Sequence, residues 1–277
     1  MNLNTNYQNT LFPYAYNILG SVDDAMDAIQ DVITKYISSS KPNIENEISY
    51  LIKGVINQSI NIKKRNQKTI GDKIWLPEPI SKEKADTNIN REEIISYSML
   101  VLLEKLNPKE RAVFILKEAF DYSHEEIATA MSFSIENSRK LLSRAKKALE
   151  KMKKDFEPSP MASPTFLKEY ITSIKTGNVS ALEKLLSDDI MVKTDGGNVS
   201  IVSELMVGIK EVIKLMIYVY NTYQKSFSIV ESTVNHQPAL MFYNDGKLVN
   251  CQVFELEKDN EKIMTIYSIV DPEKLKK

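Results

Sequence analysis

The densest chemistry in the chain lies between Ser123 and Lys154, where Arg139, Lys140, Arg144, Lys146, Lys147, Lys151, Lys153 and Lys154 follow a short amphipathic segment. Guanidinium and ammonium groups at helical spacing can pair with phosphates, and an arginine near such a helix's start can contact guanine in a bidentate manner. Ser123 stands three residues before Glu126, the spacing of a capping box. Ile127, Ala128 and Met131 then share one face, and Ser134 is placed to cap a second helix. There Ile135, Leu141, Leu142, Ala145 and Leu149 face inward, leaving the cations outside. Two short helices across a tight turn, the second basic on its exposed side, describe a helix-turn-helix. A solvated face on an ordinary bundle helix is the competing reading.

Other constellations are weaker. Asp27, Gln30 and Asp31 fall on one helix face and can pair with a basic partner helix, or simply face solvent. Lys63, Lys64 and Arg65 close a helix, where they can complement its dipole or contact phosphate. Catalysis finds little support. The chain has two histidines, His124 inside the helix-turn-helix and His236 beside an expected hairpin turn, and Asp195 sits in a turn that accounts for it. No acid–base pair with supporting residues emerges, so no catalytic residue, no metal site and no cofactor is expected.

Composition bounds the rest. The chain has 277 residues, enough for two domains or three small ones, with 43% hydrophobic and 26% charged residues, ordinary for a soluble protein. A net charge of −1 argues against coating nucleic acid by bulk electrostatics, and neither side of Glu157 is basic overall. Any DNA contact must therefore be local. Cys251 is the single cysteine, which fits a reducing compartment. No apolar run is long enough for a membrane span: Ile201 to Tyr220 is broken by Glu204, Lys210, Glu211 and Lys214. The first residues lack the pattern of a signal peptide, so a cytoplasmic location is expected.

The elements that must position these groups form three blocks. The first, from residue 7 to about 66, holds a helix ending at Gly20, a second capped by Ser21, and a third from Glu47 to Lys64. A polar stretch follows, interrupted by Ile74-Trp75-Leu76-Pro77-Glu78-Pro79, stiffened by its prolines and holding the single tryptophan. From residue 91 one helix carries Ile94 to Leu106, Pro108 opens the next, and the helix-turn-helix completes the block. Phe156 to Pro164 is rich in proline and serine and reads as a joint. The third block begins with helices at Phe166–Lys175 and Ala181–Leu186 and a strand at Ile190–Thr194. Asp195-Gly196-Gly197-Asn198 then makes a tight turn, and a helix spans about Glu204 to Tyr223. Strands at Phe227–Val234, Ala239–Tyr243, Leu248–Leu256 and Ile263–Val270 follow, divided by turns at Gln237-Pro238, Asn244-Asp245-Gly246 and Lys258-Asp259-Asn260. That succession predicts an α+β domain whose helices cover one face of a curved antiparallel sheet.

Taken together, the segments resemble an extracytoplasmic-function sigma factor of the sigma-70 family. LFPYAYNILGSVDDAMDAIQDVITKY is similar to region 2, and LNPKERAVFILKEAFDYSHEEIA with the basic helix is similar to region 4. WLPEP, the DGG turn and the DPEKL tail resemble marks of a subgroup that carries a C-terminal SnoaL-like domain. The resemblance implies a multi-domain fold: residues 5–68 as region 2, 69–90 as linker, 91–155 as region 4, 156–164 as a second linker, and 165–277 as an α+β SnoaL-like domain of cone shape. It implies core RNA polymerase and promoter DNA as partners, with an unknown small ligand for the last domain and no membrane role. Asp27, Gln30 and Asp31 would meet the polymerase, and Lys63, Lys64 and Arg65 the opened −10 strand. Asn137, Ser138, Arg139, Lys140 and Arg144 would meet the −35 element. Trp75, Leu76, Pro77, Glu78 and Pro79, Asp195, Gly196 and Gly197, and Asp271, Pro272, Lys274 and Leu275 would join in an interdomain regulatory contact. Departures are Ser132 where the family has glycine, a less basic end to region 2, and Asp271 and Glu273 in the tail. The alternative function is an autonomous helix-turn-helix regulator with a ligand-binding domain. An isomerase-like enzyme with a DNA-binding arm is a third class.

Overall fold

The computed structural model describes residues 3–38, 44, 46–66, 74–81, 91–150, 164–257 and 262–276. Most of both inferred linkers, the cations Lys151, Lys153 and Lys154, and the turn at Lys258-Asp259-Asn260 lie outside the described residues. The chain forms two compact units. One comprises residues 1–71 and 85–156, the other residues 72–84 and 157–277. The two sigma-like blocks thus share one unit, and the tryptophan segment groups with the C-terminal residues.

In the helical unit, α1 (Leu3–Leu19), α2 (Val22–Ser38) and α3 (Glu47–Asn66) form a three-helix bundle. Gly20, at φ 74°, breaks the chain between α1 and α2. The Ser21 hydroxyl accepts the Asp24 N–H at 3.3 Å. Ala25, Ala28, Ile29, Val32, Ile33 and Tyr36 bury one face of α2. The next helix, α4, covers only Tyr97–Leu103, later than the periodicity predicts. Asn17 is the reason: its amide donates to the Glu93 carbonyl at 2.8 Å and accepts the Ile95 N–H at 3.2 Å, pinning Ile94 and Ile95 before the helix begins. Asn107 caps α5 (Pro108–Glu118), accepting the N–H groups of Lys109 and Glu110. α6 (His124–Met131) and α7 (Ile135–Glu150) complete the unit.

Between α6 and α7, Ser132 stands at φ 55°, ψ 51° in the left-handed region. A side chain there is strained by roughly 1 kcal/mol, which glycine avoids at the expense of unfolded-state entropy. Ser132→Gly should therefore stabilise the helical unit by about 0.5–1 kcal/mol, read from urea unfolding followed by ellipticity. An unchanged or lower midpoint would show that the turn is relaxed around serine.

The second unit packs α8 (Pro164–Thr176), α9 (Val179–Leu185) and α10 (Ile209–Val219) on a six-stranded sheet. Its strands are β1 (Leu186–Asp195), β2 (Leu205–Val207), β3 (Ser228–Val234), β4 (Gln237–Asn244), β5 (Lys247–Leu256) and β6 (Ile263–Ile269), in the order β2-β1-β6-β5-β4-β3. β3 to β6 form the expected antiparallel meander, but β1 joins β6 in parallel. The core lies between helices and sheet, with Tyr170 fully buried against Phe254 at 5.1 Å between ring centroids.

Two local expectations shift. The helix foreseen from Glu204 starts only at Ile209, because Leu205–Val207 pair with Lys193–Met191 as an edge strand and Gly208 turns the chain at φ 93°. It ends in a π turn over Tyr220–Gln224. The first hairpin turns at Asn235-His236, with φ 45° and 64°, and not at Gln237-Pro238. Two consecutive positive φ values suit the right-handed twist of the flanking strands. Pro238 is tolerated inside β4 because the β4–β5 ladder begins only at Ala239, so no partner there needs its missing N–H.

Candidate functional site

The helix-turn-helix is fixed by its caps. Ser123 Oγ accepts the Glu126 N–H at 3.1 Å while the Glu126 carboxylate accepts the Ser123 N–H at 2.7 Å. These bonds hold the Glu126 carboxyl below the usual range. Ser134 Oγ accepts the Asn137 N–H at 3.2 Å. His124 Nδ1 and Ser138 Oγ lie 2.9 Å apart, tying the two helices together. Ser138 is fully buried, so it braces the motif and presents nothing to a base edge, a correction to its expected role. Arg139, Lys140 and Arg144 are exposed and Asn137 is half-buried. Lys146 pairs with Glu118 at 2.8 Å.

In the first block Asp27, Gln30 and Asp31 are exposed on α2 opposite its buried face, and Asp31 accepts from the Gln58 amide at 2.8 Å. Lys64 and Arg65 are exposed, but Lys63 is not: it is 3% exposed. Its Nζ donates to the Leu19 carbonyl at 2.9 Å and to both oxygens of Glu104, the shorter at 2.7 Å. Arg111, fully buried, shares that carboxylate and donates through Nε and Nη2 to the Asn17 carbonyl at 3.0 and 2.9 Å. Lys63 is therefore withheld from nucleic acid in this arrangement, contrary to its expected role. Burial, then the nearby Arg111, lowers its pKa to about 8 against the pull of Glu104. Sequence reasoning gave Glu104, Arg111 and Asn17 no role. A polar residue within each apolar helical face was the available signal.

The same interface is closed elsewhere. The Tyr14 ring stacks on Phe120 at 4.2 Å and its hydroxyl lies 3.1 Å from that of Tyr122. Asn57 donates to the Ala130 carbonyl at 3.0 Å, joining α3 to the end of α6. The first three helices and the helix-turn-helix block are thus one packed body, latched by charge.

In the second unit, the tryptophan segment meets the DGG turn and the tail. Asp195, 3% exposed, accepts the Leu76 N–H at 2.8 Å and the Lys274 ammonium at 2.5 Å through Oδ2, and the Gly197 N–H at 3.0 Å through Oδ1. Lys274 also donates to the Leu76 carbonyl at 2.5 Å, and its Nζ lies 4.3 Å from the centre of the Trp75 ring. Such a cation–π contact adds to the ion pair. The Asp195 carbonyl receives the N–H groups of Val270 and Asp271. Gly197 has φ 56°, and a Cβ there would sit 2.4 Å from Asp271 Cγ, so only glycine fits. Gly196 is equally close-packed, its Cβ position lying 2.7 Å from Ile201 Cγ2. Leu76, Pro77, Glu78 and Leu275 are buried, while Pro79 is half-buried and Pro272 lies in the tail's turn. Beyond the motif, Ile80 N–H donates to Asn235 Oδ1 at 3.0 Å, and Ser81 bridges to Val234 at the β3–β4 turn.

A helix-turn-helix with exposed arginines on a compact helical body has the form of a DNA-reading domain, and the comparisons point the same way. The sigma-70 region 4 family matches residues 97–149. Across 96% of the chain and 91% of the relative, the sequence is 21% identical to the probable ECF RNA polymerase sigma factor SigI of Mycobacterium tuberculosis strain CDC 1551 / Oshkosh. The ECF RNA polymerase sigma factor SigJ of strain H37Rv is 25% identical over 67% of this chain and 61% of its own. The crystal structure of M. tuberculosis SigJ superposes with a TM-score of 0.74 at 20% identity, covering 98% of this chain and 96% of that one. Residues 97–149 thus match sigma-70 region 4, and the chain is similar over nearly its whole length to extracytoplasmic-function sigma factors and shares the fold of one of them.

Proposed function

We propose that this chain is an extracytoplasmic-function sigma factor that directs core RNA polymerase to its promoters from a latched resting state, and that its C-terminal unit, a SnoaL-like domain, regulates it by holding the linker. The observation that carries this reading is the pairing of Asp195 with both the Leu76 N–H and Lys274. It binds the segment between the two DNA-reading blocks to the C-terminal domain. Asp27, Gln30 and Asp31 offer the polymerase an acidic face. Arg139 reads the −35 element, Lys140 and Arg144 grip its phosphates, and Lys64 and Arg65 meet the opened −10 strand. Lys63 joins them only when its bonds to Glu104 and Leu19 open. The domain boundaries follow the sequence blocks, with residues 74–81 belonging functionally to the C-terminal domain. The SnoaL-like domain acts by binding, not by turnover. Work takes place in the cytoplasm; among the described residues no helix is long and apolar enough to cross a membrane.

Run-off transcription with core polymerase tests this, comparing the full chain with Arg139→Ala and with truncations at about residue 160 and just before Asp271. Arg139→Ala should lower cognate output about tenfold, as loss of one bidentate base contact implies. Each truncation should change output in the same direction. Unaltered output from both truncations would refute regulation by the domain. Tight duplex binding without polymerase would favour the autonomous regulator.

A further inference from the structure

The helices and sheet of the C-terminal unit enclose a cavity of about 410 Å³, within the range of small-molecule sites. Its walls are mostly apolar, with Ile174, Met216, Phe227, Leu240, Phe242 and Ile266 prominent. Among the described residues, no carboxylate, imidazole, ammonium or guanidinium lines it. Among its polar groups, the Ser268 hydroxyl donates to Asn250 Oδ1 at 3.1 Å. Gln252 differs: its Oε1 is buried with no hydrogen-bond partner, on the wall strand between Leu240 and Ser268. A buried acceptor without a donor is costly, and a bound molecule that supplies the donor removes the cost. Val199, Val202 and Tyr223, which also line the cavity, are about half exposed, so its lining reaches solvent.

We infer that the cavity binds an uncharged, largely apolar small molecule bearing one hydroxyl or N–H donor directed at Gln252, and that occupancy is transmitted to the linker clamp. A charged ligand is disfavoured because nothing in the walls would replace its lost hydration. Transmission follows from continuity of the backbone. β1 contributes Val192 and Thr194 to the wall and ends at Asp195, which holds Leu76. β6 contributes Ile266 and Ser268, and Val270 leads directly to Asp271 beneath Gly197. A ligand that spreads these strands changes the seat of Asp195. The coupling rests on the linker being the regulated element; the binding does not.

N-phenyl-1-naphthylamine is a suitable probe, being neutral, apolar, carrying one N–H, and brightening on leaving water. The full-length chain should bind it one to one, and bind its sulfonated counterpart 8-anilinonaphthalene-1-sulfonate at least tenfold more weakly. Gln252→Leu should weaken the amine about tenfold while leaving 1-phenoxynaphthalene, which lacks the donor, unchanged in competition. Ile229→Phe, which narrows the cavity, should weaken both, with circular dichroism verifying that each variant is folded. Equal affinity for the neutral and sulfonated probes, or an amine indifferent to Gln252→Leu, would overturn the assignment. Saturating probe should alter hydrogen exchange in the peptide spanning Trp75 to Ser81. No change there, with binding intact, would overturn the coupling alone, whereas failure of the truncation assay would strike the regulatory reading instead.

Discussion

Glu104→Gln should loosen the helical unit by about 3 kcal/mol, because it leaves two buried cations sharing a site without their counter-charge. Lys63 and Arg111 cannot retreat to solvent: they are 3% and 0% exposed, and both are also bonded to carbonyls near the end of α1. The amide can still accept a hydrogen bond but cannot offset their mutual repulsion. Hydrogen exchange in α4 and α5 should accelerate about a hundredfold if opening is local, since each 1.4 kcal/mol is a factor of ten. Exchange confined to wild-type rates would mean that the latch contributes only geometry. The pH dependence carries the same signature. Burial lowers the folded-state pKa of Lys63 to about 8, below the ordinary value near 10.4, so the unfolded chain binds more protons between those limits. Stability should therefore rise with pH in that window, by about 2 kcal/mol from pH 8 to 10. Tyr14, Tyr170 and Tyr267, whose pKa values burial raises, work in the opposite direction as pH passes 10. Those tyrosines remain in Lys63→Met, so subtracting its pH profile isolates the lysine. A difference that is flat from pH 8 to 10 would reject the assignment.

Asp195→Ala should undock the tryptophan segment. One carboxylate, 3% exposed, serves the Leu76 N–H, the Gly197 N–H and the Lys274 ammonium, and removing it takes an acceptor from all three. Breaking one side of a buried pair costs about 3–5 kcal/mol, and here the loss falls at the centre of the segment, on Leu76. Trp75 is the single tryptophan and lies against Lys274, so it reports the event directly. Its emission should shift to the red and become readily quenched by acrylamide. Gly197→Ala, which sets a Cβ against Asp271, should produce the same shift from the opposite side of the clamp. An unchanged Trp75 spectrum in both variants would mean that side-chain packing alone holds the segment.

How far the sequence reaches depends on the distance over which each feature is determined. The capping box at Ser123 and Glu126 and the amphipathic faces of α2 and α7 are local patterns, and the structure forms them where the residues specify. Ile94 and Ile95 look helical by spacing, yet Asn17, more than seventy residues away, takes their backbone partners. β2 is three residues long and carries no pattern of its own; β1 creates it by offering an edge. Lys63 shows the same limit at the site. Its neighbours in sequence mark it as a surface cation, and only the tertiary placement of Glu104 and Arg111 makes burial tolerable. The motifs around Trp75, Asp195 and Asp271 stood out for their composition, but their joining through Lys274 depends on the parallel pairing of β1 and β6.

That joining also sets a schedule during synthesis. The bond between Lys274 and the Leu76 carbonyl spans 198 residues of chain. At the roughly 5–20 residues per second of translation, Leu76 is made about 10–40 seconds before its partner exists. The helical unit can therefore close on the ribosome while the linker is still unheld, and the clamp is assembled last. A nascent chain stalled before Lys274 would carry the helical unit with the tryptophan segment free of this bond, so the clamp records that translation has passed this lysine.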